Sequence, residues 1–174
     1  MHDDLRALWE EAREGKRRFV AAVDQLSEQD QGKPAKDHTW TPVQIGEHIL
    51  IVERMYRDYV AASSADSLAG KKTSRNPLIR VIIWGSRKRF KAPTIREMEP
   101  GSTPWTAVKS DWDSVRTDLE SAMEPVTDPD KPWMLHPMLG ALSSRQVMTL
   151  LTAHFAYHLP QVGGEVPPRS PQGW

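Results

Sequence analysis

The chain has 174 residues, enough for one domain with a substantial core. Its 23 basic and 23 acidic residues cancel, so no global charge attracts nucleic acid or an anionic membrane. It has no cysteine, which excludes disulfides, thiolate ligands, a thiol nucleophile and iron–sulfur clusters, so a bound metal has to use His, Asp, Glu or water.

The charged N-terminus lacks the apolar segment of a secretory signal, and the apolar runs fall far short of a membrane span. A cytoplasmic protein is therefore expected, with neither a membrane nor nucleic acid as partner. Leu5, Leu8, Trp9, Ala12, Phe19, Val23 and Leu26 recur at helical spacing, which predicts a first helix over 3–26, with Gly15 a weak point in its middle. Gly32 and Pro34 punctuate the chain after it.

Thr41-Pro42 opens a second helix that runs to about residue 62. Thr41 suits the cap, Pro42 the first helical position, and Gln44 completes a capping box. Ile45, His48, Ile49, Val52, Met55, Tyr56 and Tyr59 form its apolar stripe. Glu47 and Glu53 fall off that stripe and are expected in solvent. Residues 63–76 are small and polar and read as a loop. The segment 77–90 carries LIRVIIWG and then a basic run, and fits either a short helix or an extended crossover.

A third helix starts with the same Thr-Pro dipeptide, at 103–104. It turns Trp105, Val108, Trp112, Val115, Leu119 and Ala122 inward and ends before Pro125. The four prolines of 125–142 predict a loop. A fourth helix from Ser143 or Ser144 buries Val147, Leu150, Leu151, His154, Phe155 and His158. The tail 163–174 is expected to be irregular. Four helices and no convincing strand predict an all-α fold in one domain, a four-helix bundle. The second connection, about forty residues, is long enough to return the chain to the same end. That favours an up-down-down-up order with a long crossover between helices two and three.

The chemistry concentrates in three histidines. His154 and His158 are one helical turn apart, so their side chains stack about 6 Å apart on one face. His48 lies on the apolar stripe of another helix. An i, i+4 pair can chelate one metal, and a third imidazole from across the bundle leaves a position for water or substrate, as in catalytic zinc sites. The acidic residue of the zinc-protease helix is absent between the pair. Imidazole suits zinc, nickel, copper or iron. Three core histidines, each bonded to its own carbonyl, also fit the spacing. His2 and His38 read as solvated, and His136, in HPMLG, as a structural loop residue. From Ser67 to Arg96 the chain has no acidic residue and nine basic ones, which reads as a solvated crossover or, alternatively, an anion-binding rim. Trp9, Trp105 and Trp112 occupy core-like positions, and Trp40, Trp84 and Trp133 lie near helix ends or loops.

These residues carry a resemblance. Trp40 before a helix bearing His48, the Lys91-Ala92-Pro93 linker, HPMLG before the last helix, and HFAYHLPQV with His154, His158 and Gln161 resemble the DinB-like family of metalloenzymes. The resemblance spans nearly the whole chain. It implies a four-helix bundle in up-down-down-up order, a three-histidine divalent metal site made of His48, His154 and His158, and frequent homodimers. Zinc or nickel is the implied metal. Characterised relatives include bacillithiol- or mycothiol-dependent S-transferases and a mycothiol-dependent isomerase. The implied chemistry is metal activation of a low-molecular-weight thiol, or of water in a hydrolase. The alternative is a non-catalytic, stress-related bundle that binds a small molecule and whose metal site is empty or structural. Pro160, between His158 and Gln161, is expected to kink or end the helix, which leaves the orientations of Gln161 and His158 open.

Overall fold

Caps and apolar spacing together set the helices. The computed structural model describes residues 1–36, 39–85 and 96–166, the side chains of 84 and 85 excepted. His38, the Trp84 side chain, the linker at 91–93, most of the basic run after 85 and the end of the tail lie outside the described residues. The first helix, α1 (Asp3–Asp24), buries Leu5, Leu8, Trp9, Ala12, Gly15, Phe19 and Val23. Its N-terminus is capped by His2, whose Nδ1 accepts the Asp4 N–H at 3.2 Å. A short α2 (Glu28–Gln31) follows.

The next long helix, α3 (Pro42–Ala62), has the capping box expected of Thr41 and Gln44. The polar stretch after it holds one turn of helix, α4 (Ala65–Leu68). The ambiguous segment is helical over α5 (Pro77–Gly85), which packs Ile79 and Ile83 toward the core. After a 3-10 turn at Arg96–Met98 comes α6 (Trp105–Met123). The Thr-Pro dipeptide behaves differently here. Pro104 stands at the cap position, no side chain caps the helix, and the Thr103 hydroxyl donates to Glu47 Oε1 instead.

The loop expected over 125–142 is corrected. A hairpin forms there, β1 (Pro132–His136) paired antiparallel with β2 (Gly140–Ser143), and it leads into α7 (Ser144–His158). Its pairs are Met134 with Leu142, Leu135 with Ala141 and His136 with Gly140, with an irregularity between Pro132 and Met134. The strands are too short to show alternation, so the prolines dominated the sequence pattern. The turn supplies the missing logic. His136 Nδ1 accepts the N–H groups of Met138 and Leu139, both at 3.1 Å, and Gly140 takes a φ of 82°. His136 is thus structural, as its position implied. Ser143 caps α7 in a second capping box with Gln146.

The chain is mostly helical with this one small sheet among the described residues. None of its helices is long and apolar enough to cross a membrane. The α1 helix packs chiefly against α7, and α3 against α6. A row of aromatics joins the two pairs. Phe155 stacks on Trp112 with ring centroids 5.9 Å apart, and Trp112 meets Phe19 edge-on at 6.0 Å. Two glycines give these rings their space. A Cβ on Gly15 would stand 2.9 Å from Phe155, and one on Gly46 would stand 2.6 Å from Trp105. Gly15 is therefore a packing site and not only a weak point in a helix.

Gly46→Ala adds about 1 kcal/mol of helix propensity and costs about 1–3 kcal/mol in overpacking. A net loss is expected, seen as a Tm lower by about 2–4 °C per kcal/mol. A Tm at or above wild type would show that Trp105 moves aside freely. Burial holds the His136 imidazole below its usual 6.5, so the unfolded chain takes up this proton first as the pH falls. The stability that His136 contributes is complete above pH 6.5 and is lost as the pH drops below that value. Thermal melts of His136→Gln should therefore show a lower Tm at neutral pH and a shallower fall on acidification than wild type.

Candidate metal centre

His48 sits in the second turn of α3, two residues after Gly46, where the tight approach to Trp105 fixes the helix. His154 and His158 lie one turn apart at the C-terminal end of α7. His48 and His158 are buried and His154 is half-buried. Their rings meet edge-on, with centroids 5.1 Å apart for His48 and His154, 5.2 Å for His48 and His158, and 4.7 Å for the α7 pair. The Nε2 atoms point at one another. His48 Nε2 is 3.2 Å from His154 Nε2, and His158 Nε2 is 3.0 Å from it.

The outer nitrogens decide which tautomer each neutral ring takes. His48 Nδ1 is 2.7 Å from the Met98 carbonyl, which can only accept, so Nδ1 carries the hydrogen and Nε2 a lone pair. His158 Nδ1 is 2.7 Å from Gln161 Oε1 and is fixed in the same sense. Two lone pairs are thus aimed at His154. Its own imidazole is held well below the usual range by burial, and then by the neighbouring His158 and His48. A neutral His154 adds a third donor. The two separations to His154 are close to the about 3.3 Å expected between ligands of a tetrahedral zinc at 2.0–2.1 Å, and the three ligand atoms lie within 4.8 Å of one another. Neutral imidazoles with converging lone pairs fit one divalent cation, and the three are grouped within ligand distance of one another. His154 Nδ1 is buried without a partner, so no outer hydrogen bond orients that ring.

Pro160 does not spoil this arrangement. It ends the α-helix at His158 and starts a 3-10 turn, Leu159–Val162, with Leu159 and Val162 buried. The tighter turn carries Gln161 back beside His158. Trp40 lies over the His48 ring at 4.9 Å, and Tyr157 meets His158 at 4.8 Å.

A model of the DinB superfamily matches residues 10–162. The chain belongs to that superfamily. The matched span of this DinB chain includes all three histidines, Met98 and Gln161. No curated protein and no solved structure gives a significant match to it.

Two expectations about carboxylates in the DinB chain are corrected. The apolar stripe leaves Glu47 and Glu53 in solvent, yet both are buried, at 8% and 0% exposure. Glu53 meets Arg116 of α6, and Glu47 meets Thr103 in the segment ahead of that helix. Glu53 makes a bidentate pair with Arg116, at 2.5 Å from Nε and 2.6 Å from Nη2. The guanidinium lies 5.0 Å from the Trp9 ring and 5.4 Å from that of Phe155. Glu53 is therefore engaged and offers no free base to the histidines. Arg116 follows Trp112 by four residues and precedes Leu119 by three, which is the signal that marks it as inward-facing. The acceptor at Met98 is a backbone atom and leaves no mark in the sequence.

Removing one partner of this pair strands a buried charge, so Glu53→Ala should cost about 3–5 kcal/mol in denaturant unfolding. Replacing both, as Glu53→Leu with Arg116→Met, should restore most of that loss. A small effect of the single change would mean that water reaches Arg116.

Proposed function

We propose that this protein is a metal-dependent enzyme in which His48, His154 and His158 hold one divalent cation, zinc or nickel. The observation that supports this reading is the convergence of three imidazole Nε2 atoms, with two rings fixed in the donating tautomer by Met98 and Gln161. A cation held there supplies Lewis-acid character and lowers the pKa of a coordinated thiol or water. The chain's residues do the rest. Met98 and Gln161 keep lone pairs inward, Trp40 covers the His48 ring, and burial keeps His154 neutral. Three protein donors leave a further position open to an exogenous group.

A thiol nucleophile has to come from a cosubstrate, because the chain has no cysteine. Transfer from a low-molecular-weight thiol to an electrophile is the reaction class favoured, and hydrolysis is the alternative. A metal-activated thiolate needs no separate base, which agrees with the engagement of Glu53 by Arg116. The four long helices are read as a four-helix bundle in up-down-down-up order. Homodimerisation and a cytoplasmic location belong to the same proposal and rest on the family resemblance and the composition.

Untagged protein should retain stoichiometric metal, and His48→Ala should lose it. Metal at about a hundredfold excess over its Kd should stabilise the apoprotein by about 2.7 kcal/mol. Loaded protein should accelerate conjugation of a low-molecular-weight thiol to monochlorobimane. Metal-free protein whose melting ignores both chelator and added zinc would instead support a non-catalytic, stress-related bundle.

A further inference from the structure

The segment from Met98 to Trp105 is fastened to one short stretch of α3. Met98 O accepts from His48 Nδ1 at 2.7 Å. Gly101 O accepts from Gln44 Nε2 at 3.1 Å. The Thr103 hydroxyl donates to Glu47 Oε1. Trp105 packs onto the bare backbone of Gly46. Gln44, Gly46, Glu47 and His48 are thus all used within about one turn.

One of these contacts carries a cost that packing does not explain. Thr103 lies one residue before Pro104 at the α6 cap position, and its hydroxyl donates to Glu47. Glu47 is 8% exposed, and its Oε2 is buried without a partner. A buried carboxylate with one oxygen left unsatisfied is disfavoured, so the contact needs a reason beyond packing.

We propose that residues 101–103 form a strap whose role is to hold the Met98 carbonyl against His48, and that Thr103 and Gln44 are positioning residues for that ligand. A single carbonyl on an unanchored loop would let His48 exchange tautomers, and the wrong tautomer turns an N–H toward the other two rings. The strap fixes the carbonyl and with it the inward lone pair. The consequence for metal affinity rests on the metal-site reading above. The effect on the His48 tautomer does not.

Gln44→Glu keeps the oxygen that accepts the Thr41 N–H at 3.0 Å, so the α3 cap survives, but it sets an oxygen against the Gly101 carbonyl. Thr103→Val removes the hydroxyl at constant shape. In metal-free, nitrogen-15-labelled protein, His48 of the wild type should be protonated at Nδ1 alone. Both variants should populate the second tautomer. Zn²⁺ affinity, measured by competition with a chromogenic chelator, should fall about tenfold in each, and Thr103→Ser should restore tautomer and affinity together. An unchanged His48 tautomer in both variants overturns the strap, as does a Zn²⁺ loss that Thr103→Ser fails to rescue. A wild type that binds no Zn²⁺ overturns the metal reading, and the tautomers alone then decide the strap.

Discussion

Lone pairs on neighbouring imidazoles repel, and the arrangement at the end of α7 forces three of them together. His48 and His158 cannot relieve the repulsion by moving their protons inward, because Met98 and Gln161 hold those protons on the far side of each ring. His154 can satisfy one neighbour with a proton but not both as separate acceptors. The most economical partner is a single positive centre shared by all three. The geometry of the rest of the molecule can be understood as what is needed to impose this situation on a folded chain.

Imposing it requires two helices at fixed depth and rotation. Gly46 lets α3 lie directly on Trp105, and His48 follows two residues later, more than half a turn round the helix. Phe155 rests on Gly15 of α1 and stacks on Trp112 of α6, and it adjoins His154 in the chain. The three histidines are therefore tied to the tightest contacts in the core, where a shift of a few tenths of an ångström meets resistance. At the other end of the pair, Pro160 converts the helix to a tighter turn and so returns Gln161 to His158. What the sequence pattern marked as a threat to the site is the device that completes it.

Helix positions and the grouping of the three histidines were legible because both rest on periodic spacing and caps. The boundaries of α3 match Thr41-Pro42 and the apolar stripe, and the α7 pair is a direct result of the helical turn. The hairpin was not legible. Its register depends on His136 Nδ1 accepting two backbone N–H groups and on Gly140 at positive φ, neither of which has a periodicity. The burial of Glu47 and Glu53 was missed because a stripe defined by apolar residues hides charged side chains that meet their partners from another helix. Met98 was invisible for a simpler reason. A carbonyl is common to every residue, and only the fold selects which one faces an imidazole.

The Glu53–Arg116 pair constrains how this sequence can drift. Sixty-three positions separate the two in the chain, yet exchanging one alone strands a buried charge. A lineage that swaps the pair for apolar residues has to cross a poorly folded intermediate or change both codons nearly at once. Positions 53 and 116 should therefore covary among descendants of this chain, switching between ionic and apolar states as a unit while the surrounding aromatics adjust one at a time.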